Sequence, residues 1–457
     1  MSSGIRAALT VLPMLGLLTT ACAAHKRHKP VPLPAPPPRA VVGPFLLPAQ
    51  VRVVAFHRLP EQFNTPIPPV WQADGQALSL LQITPAGAKV ARFGGASLRE
   101  EKPFDLSMQS GSKDQPSPLS QLDFAIDLQG ARLAVVANDA SDNSVKVFVR
   151  PLEPDAKVDL VATFPGQVES AAISWLSPDD LLLGLSATRP TDSAAASAEF
   201  AGIYRLSTKV HGDNSQFVLD CTRPINPTRF VLSPHGRALV NSSRGTAVYL
   251  LDFERFACRR VALPSFARMQ VLGWDGDDSR ILYASVLSAR FSDELAVFEL
   301  EFGNNQRRRI GAPMANAAYT KSGKIVIPGS QRLSPALLRA KPDMLVPVQL
   351  GVFDKAASEI TIYPLGLWTG AAMMAQARLA YSAAADAAAV DVAVPVGNQI
   401  TQELVEFSLA SRHAESITTA RVNQRLVYSW SPSGSRLAIC DCASEQGNLL
   451  VVEPPLK

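Results

Sequence analysis

Short apolar runs alternate with polar turns along most of the chain, and the turns share a composition. In the segment YSWSPSGSRLAI, residues 428–439, a Ser-Pro-x-Gly turn and one basic residue separate two β-prone runs. Such residues are typical of tight turns between strands. Comparable second runs begin at seven positions: Arg132, Leu181, Arg237, Arg280, Lys324, Arg378 and Arg436. Their spacing is roughly 50 residues, a period that indicates a propeller or a solenoid.

Each repeat contains enough strand signals for one blade of a β-propeller. Further apolar segments accompany the paired runs, for example residues 159–164 and 248–254. Many of these runs are apolar at nearly every position, as expected of strands that neighbouring blades cover on both faces. The sequence therefore predicts an all-β fold, a β-propeller in residues 119–457 with seven four-stranded blades, or with eight as the alternative.

The last repeat has only three strand-like segments before the sequence ends. An open ring would leave an unpaired strand edge, which proteins avoid. Three segments within residues 46–118 are strand-like and belong to no repeat: 50–59, 77–83 and 88–93. We therefore predict that one of them completes the last blade, and that the others cap one face or form an eighth blade.

Two other features of the repeats carry predictions. Trp175, Trp274 and Trp430 come near the ends of first strands, where a large ring can wedge between blades; a ligand cage is the alternative. Residues 192–200 and 383–394 are rich in Ala. We expect these two segments to be loops between second and third strands, able to form short helices.

The N-terminal residues have the layout of an export signal. One Arg6 precedes an apolar stretch at residues 7–18, followed by small residues and Cys22. The stretch is shorter than the roughly 20 residues that span a bilayer, which favours a cleaved signal peptide over residues 1–21. A cysteine at this place resembles the lipobox of bacterial lipoproteins. The resemblance implies cleavage before Cys22 and its lipidation; an ordinary secretory signal cleaved near Ala23 is the alternative.

Residues 22–45 are basic and rich in Pro, a composition that favours an extended tether. Ala23 follows the cysteine, and by the same resemblance this implies the outer membrane of a Gram-negative bacterium. We therefore expect a protein that faces the periplasm and contacts the membrane through the lipid on Cys22.

The charge of the chain argues against a nucleic-acid partner. The formal net charge is +4, but five basic residues lie within residues 1–39, which contain no acidic residue. The remaining chain is nearly neutral, whereas a nucleic-acid-binding protein needs a clustered basic face.

The repeat unit resembles the WD-like repeats of the periplasmic TolB-type β-propellers, in which a Ser-Pro-Asp-Gly turn and a basic residue precede an apolar strand. Residues 231–252 and 430–452 carry the resemblance most clearly. It covers residues 120–457 and implies the fold alone, because one fold hosts many functions.

The motifs of common hydrolases are missing from the sequence, which contains neither G-x-S-x-G nor H-E-x-x-H. The histidines are scattered, at His25, His28, His57, His211, His235 and His413. Acidic loops at 138–143 and 275–278 do not fit the pattern D-x-[DN]-x-[DN]-G of a calcium-binding loop, and we interpret them as turn sequences, with a calcium site as the alternative. We therefore predict no catalytic residue, no metal site and no cofactor.

Four cysteines besides Cys22 could form disulfide or redox pairs. Cys221 and Cys258 occupy equivalent outer strands of adjacent repeats and could be bridged if their Cα atoms lie within about 7 Å. Cys440 and Cys442 lie on one face of a strand, a spacing that suits a strained redox pair or two ligands of a soft metal, if they are not simply idle.

Together these features predict a lipid-anchored envelope propeller that is not an enzyme. Its loops would bind another envelope protein or peptidoglycan. The alternative is a hydrolase or lyase acting on a small or sugar substrate in the central channel. An enzyme should gather charged groups at the channel, whereas a scaffold should expose an apolar or aromatic patch.

Overall fold

The computed structural model describes residues 39–59, 68–84, 87–101, 104–105, 109–110, 117–127, 129–153, 156–168, 170–185, 202–209, 215–219, 227–242, 248–253, 257–261, 269–289, 292–311, 316–330, 334–420, 426–442 and 447–455. These residues form an eight-bladed β-propeller, which confirms the predicted fold and settles the number of blades at the larger of the two values considered.

Antiparallel strands that are consecutive in sequence form the blades. Blade 1 contains β4 (Val70–Trp71), β5 (Leu78–Thr84), β6 (Gly87–Gly94) and β7 (Arg99–Glu100), and blade 2 contains β11 (Ser120–Ile126), β12 (Arg132–Asp139), β13 (Ser144–Pro151) and β14 (Asp159–Pro165). Blade 3 contains β15 (Ala171–Trp175), β16 (Asp180–Leu185), β17 (Gly202–Ser207) and β18 (Ser215–Leu219). Blade 4 contains β19 (Pro227–Leu232), β20 (Ala238–Ser242), β21 (Val248–Asp252) and β22 (Ala257–Arg260).

Blade 5 contains β23 (Met269–Trp274), β24 (Arg280–Ala289), β25 (Ser292–Glu301) and β26 (Arg307–Gly311), and blade 6 contains β27 (Ala318–Tyr319), β28 (Ile325–Gly329), β29 (Leu345–Asp354) and β30 (Glu359–Gly370). Blade 7 contains β31 (Arg378–Ser382), β32 (Ala387–Val396), β33 (Gln399–Ser408) and β34 (His413–Ala420). Blade 8 contains β35 (Val427–Trp430), β36 (Leu437–Asp441) and β37 (Asn448–Glu453).

The other elements are β1 (Arg39–Val42), β2 (Phe45–Pro48), β3 (Arg52–Arg58), β8 (Phe104–Asp105), β9 (Gln109–Ser110), β10 (Ser117–Pro118), α1 (Pro335–Ala340) and α2 (Ala371–Met374). Strand β8 pairs with β6, and β9 pairs with β10. Neither helix is long and apolar enough to span a membrane, and the described residues contain no other helix.

Hydrogen bonds within the turns explain why the repeat keeps a short polar residue and a basic residue together. In several blades, a side chain begins the turn between the first and second strands, and a basic residue ends it. The oxygen of that first side chain accepts a hydrogen bond from the backbone N–H of the basic residue. The pairs are Asp127 with Arg132 (3.1 Å), Ser233 with Arg237 (2.7 Å), Asp275 with Arg280 (2.9 Å), Thr320 with Lys324 (3.0 Å) and Ser431 with Arg436 (3.0 Å). The repeated motif is therefore a capped hairpin turn.

The tryptophans at the ends of first strands join each blade to the preceding one, as predicted. The indole Nε1–H of Trp175 donates to the carbonyl oxygen of Ala125 at 3.0 Å. Trp274 donates in the same way to Val231, and Trp430 to Ala380. Trp71, which the sequence did not single out, donates to Ser429 of blade 8.

The ring closes through an N-terminal strand, which confirms the predicted closure. Strand β3 pairs antiparallel with β37, with His57 opposite Leu449 and Ala55 opposite Val451, and so becomes the fourth strand of blade 8. The other two orphan segments correspond to β5 and β6 of blade 1. Blade 1 is thus the blade in addition to the seven that the repeats indicated. It carries no basic residue before its second strand, so the spacing of basic residues did not reveal it.

A hairpin of β1 and β2 extends the outer edge of blade 7. Phe45 and Leu46 of β2 pair with Ala420 and Thr419 of β34. The hairpin turn has Gly43 at φ +58, where an added Cβ would overlap the ring of Phe56 in β3. The hairpin thus contacts blade 8 as well. Residues 22–45 were expected to form an extended tether, but the last residues of that segment, from Arg39 onward, belong to this hairpin.

Two predictions for blade 7 are wrong. Residues 383–394 are not a loop between second and third strands; they form the first turn of the blade and most of its second strand, β32. Arg378 begins the first strand rather than the second. Residues 387–390 are fully buried between blades, and small side chains permit that close packing, so burial overrides the helix propensity of Ala. The segment 192–200 lies outside the described residues.

Because the strands alternate in direction, the two faces of the ring carry different connections. The turn face carries the turns that join first to second and third to fourth strands, such as residues 275–279, 320–324 and 355–358. The crossover face carries the connections from second to third strands and from blade to blade, including α1 and α2.

Candidate functional site

The predicted cysteine sites divide into those that the structure describes and those that it does not. Cys22 and Cys221 lie outside the described residues. Cys258 is disulfide-bonded, whereas Cys440 and Cys442 are free thiols. The Cys221–Cys258 bridge therefore stays a prediction. Burial raises the pKa of the Cys440 thiol well above its usual value, and a hydrogen bond with Cys442 raises it further.

The described histidines lie far apart and contact different groups. His57 Nε2 lies 2.8 Å from the carbonyl oxygen of Leu98. His235 Nδ1 lies 3.4 Å from a carboxylate oxygen of Asp278, and His413 Nε2 lies 3.6 Å from one of Glu415. His25, His28 and His211 lie outside the described residues.

The carboxylates of the acidic loops form ion pairs and hydrogen bonds with other groups of the protein. The Lys146 ammonium lies 2.5 Å from Asp139 and 2.8 Å from Asp142. Asp275 accepts the Ser279 hydroxyl at 3.0 Å in addition to the Arg280 N–H. Among the described residues, no group of three or more His, Cys, Asp or Glu side chains could hold a metal ion.

A polar cavity of about 740 Å³ opens on the turn face between blades 5 and 6. Three turns form its wall, at residues 275–280, 319–324 and 354–356. The charged side chains of the lining are Asp275, Asp277, Arg280, Lys321, Lys324, Asp354 and Lys355. Several of these are already paired: Lys324 lies 3.0 Å from Asp354, and Arg280 lies 3.1 Å from Glu301.

A buried carboxylate binds two side chains of the cavity wall. Glu299, with 8% of its side chain exposed, accepts the Lys355 ammonium at 2.9 Å and the Tyr319 hydroxyl at 3.0 Å. Lys355 also lies 4.9 Å from the centre of the Tyr319 ring. Burial and the neighbouring Glu299 raise the pKa of Tyr319, so this hydroxyl remains a hydrogen-bond donor.

The two aspartates at the mouth of the cavity differ in acidity. Burial raises the pKa of Asp275, and its hydrogen bond with Asp277 adds to the effect. Hydrogen bonds from Ser279 and Asp275 lower the pKa of Asp277 to about 2. The lining contains no His or Cys that could act as a base or nucleophile beside them. The geometry therefore suits binding of a polar group, and it contains no nucleophile–base pair.

The crossover face of blades 6 and 7 has a different character. It exposes four large apolar side chains, which we call the apolar patch: Leu345, Trp368, Val396 and Ile400, exposed by 55%, 49%, 56% and 45%. Trp368 lies opposite Pro347, two residues from Leu345 along β29, and Ile400 lies opposite Pro395. The strands that carry them have 10 to 12 residues and are among the longest described.

Comparison with known proteins supports the fold and nothing finer. No protein family model and no curated protein matches the chain. Among solved structures, the Dos1 propeller is 11% identical, with 88% of this chain and 94% of that chain covered at a TM-score of 0.51. A structure from an analysis of two prolyl endopeptidases is 13% identical, with 83% of this chain and 54% of that chain covered at a TM-score of 0.50.

A third similar structure, YCF48 bound to D1 peptide, is 12% identical, with 89% and 98% of the two chains covered at a TM-score of 0.43. At identities of 11% and 13%, the likeness to the Dos1 propeller and to the prolyl endopeptidase structure supports the β-propeller fold alone.

Proposed function

We propose that this chain is a TolB-type envelope β-propeller that binds another envelope protein through the apolar patch on its crossover face. The protein would be a non-catalytic scaffold, held at the outer membrane by lipid on Cys22 and facing the periplasm. The observation that carries the proposal is the exposure of Leu345, Trp368, Val396 and Ile400 on one face of two neighbouring blades.

Exposed aromatic and aliphatic side chains on one face are the usual mark of a protein interface. An apolar surface of this kind fits a protein segment better than a peptidoglycan strand, whose sugars and peptides are polar. Exposed Arg339 in the last turn of α1 and Lys341 directly after the helix, on the same face, would supply a charged rim. The partner is therefore expected to present an apolar segment with acidic neighbours.

The alternative function, that of a hydrolase or lyase acting on a small or sugar substrate in the central channel, has less support. The polar cavity on the turn face lies between hairpin turns, and its charges are largely neutralised by one another. Turnover of an ester, lactone or polysaccharide by the purified protein would favour that alternative.

Site-specific photo-crosslinking in cells tests the proposal. A photo-reactive residue placed at Ile400 should give one crosslinked partner, identified by mass spectrometry. The same residue at Leu160, which is 45% exposed on the outer edge of blade 2, is the matched control and should not. The double variant W368S/V396S, tested with the crosslinker at Ile400, should lose the crosslink without losing the fold. Crosslinks that are equal at both positions, only to lipid, or only to a second copy would contradict it.

The lipid anchor has a separate test. Metabolic labelling with a fatty acid should label the wild-type protein and not the Cys22→Ser variant, which should also leave the membrane fraction. An unlabelled wild-type protein would contradict the anchor while leaving the apolar patch to be judged by crosslinking.

A further inference from the structure

Two free thiols lie side by side near the end of β36, between blades 8 and 1. Cys440 is fully buried, opposite Leu449, and Cys442 follows at the crossover end with partial exposure. The two thiols are hydrogen-bonded to each other. Neither belongs to a disulfide, although Cys258 of the same chain does.

The surroundings of this pair are apolar. Both cysteines belong to a cluster with Trp71, Leu78 and Leu80 of blade 1 and with Leu449 and Val451 of β37. Asp441, between them, points to the opposite side of the strand, because successive side chains alternate. The nearest histidine of the blade, His57, already contacts the Leu98 carbonyl oxygen at 2.8 Å. Soft sulfur atoms are thus the donors offered here, and within the part of the chain that the structure describes no third His, Cys, Asp or Glu side chain joins them as a possible metal ligand.

This donor set excludes some chemistries and favours one. A disulfide between residues two apart on an extended strand would be strained. The Cα atoms, separated by about 6.6 Å at roughly 3.3 Å per residue, are near the upper end of the range that a disulfide spans. The side chains point in parallel rather than toward each other, so the strand would have to bend. Structural zinc needs four ligands, and hard cations need oxygen. Two thiolates in an apolar setting suit Cu(I), which soft ligands select.

We propose that Cys440 and Cys442 form a two-thiolate binding site for a soft monovalent cation, Cu(I). Binding forms two Cu–S bonds and breaks two S–H bonds, and the two protons leave to the solvent, so copper keeps its oxidation state. The ion reaches the partly exposed Cys442 first and then Cys440. Trp71 and Leu80 exclude water and other ligands from the bound ion.

Anaerobic titration of the full-length protein, with the disulfide of Cys258 left intact, with Cu(I) in competition with the chromophoric chelator bicinchoninate tests the site. The wild-type protein should take one equivalent of Cu(I) from the chelator, and Cys442→Ser should take none. X-ray absorption of the loaded protein should show two sulfur neighbours and no nitrogen or oxygen. In the corresponding competition with a Zn(II) chelator, the protein should take up no Zn(II).

Cys442→Ser is the informative variant, because its side chain is partly exposed and the apo protein should melt within a degree or two of the wild type. Cys440→Ala, which creates a small cavity, serves as the second variant. Alkylation of Cys442 with iodoacetamide should abolish the binding of Cu(I) in the same way. If the wild type takes no more Cu(I) than Cys442→Ser, or if Zn(II) binds equally well, the proposal is overturned.

Discussion

At the residue scale, blade 7 holds two facing carboxyl groups with little to stabilise their charge. Glu406 of β33 lies directly opposite Glu415 of β34, and only 3% of Glu406 is exposed. One oxygen of each, Oε1 of Glu406 and Oε2 of Glu415, is buried without a hydrogen-bond partner. Burial, with repulsion from Glu415, raises the pKa of Glu406 to about 7. The exposed His413 contacts Glu415 from the solvent side.

Glu406→Gln should therefore stabilise the protein, and more so at high pH. An unfolded glutamate has a pKa near 4.3, so between about pH 4.3 and 7 the folded state binds a proton that the unfolded state lacks. Stability is then fully present below that range and falls as the pH rises through 7. Gln mimics the protonated form, so the variant should gain on the order of 2 kcal/mol at pH 8 and little at pH 4.5.

Urea unfolding at the two pH values measures this difference. Glu359→Gln, at an exposed position of β30, is the matched control and should change stability equally at both pH values. A gain for Glu406→Gln that is independent of pH would show that the carboxyl pair does not hold a proton in the folded state.

A second residue-scale prediction concerns the tryptophans between blades. Trp430→Phe keeps an aromatic ring in the interface but removes the N–H that donates to the Ala380 carbonyl oxygen at 3.1 Å. The unpaired carbonyl and the smaller ring should cost about 1–2 kcal/mol. Urea unfolding measures the loss, and Trp368→Phe, at the half-exposed apolar patch, should stay within about 0.5 kcal/mol of the wild type. Equal losses at both positions would contradict the proposed role.

At the scale of the element, the sequence predicted what local chemistry decides. The turn motif, the tryptophan contacts and the need for a closing strand follow from residue types at fixed spacing, and each was found. Residues 383–394 were mispredicted because an Ala-rich segment has no β propensity of its own; its strand exists only because two blades bury it. Trp71 was missed because its repeat lacks the basic residue that marks the others.

The candidate site was less predictable than the fold for a related reason. The cavity on the turn face draws its wall from residues 275–280, 319–324 and 354–356, and each of these segments looks like an ordinary turn in the sequence. The apolar patch combines Leu345 with Ile400, and nothing in the sequence near either residue indicates that its strand end is exposed. Only the ring geometry brings neighbouring blades together. The thiol pair is the exception, because one strand carries both residues.

At the scale of the whole molecule, stability depends on a contact between distant parts of the sequence. Blades of a propeller bury their apolar faces against their neighbours, and the ring has no free end only because β3 covers the edge of β37. The core cluster shared by blades 8 and 1 includes Ala55 and Leu59 from this region together with Val451. Removing the strand would therefore expose both an unpaired edge and part of a core.

A chain shortened to begin at residue 60 should lose far more than one strand. We expect the open ring to unfold at a temperature at least about 10 °C lower and to self-associate through the edge of β37, since an unpaired edge is a template for another chain. Calorimetry and size-exclusion chromatography measure both effects. A chain that begins at Arg39 retains β1 to β3 and is the matched control, expected to melt as the full-length protein does. If the two shortened chains melted alike as monomers, closure by β3 would contribute little, and the ring would have to be held by contacts between adjacent blades alone.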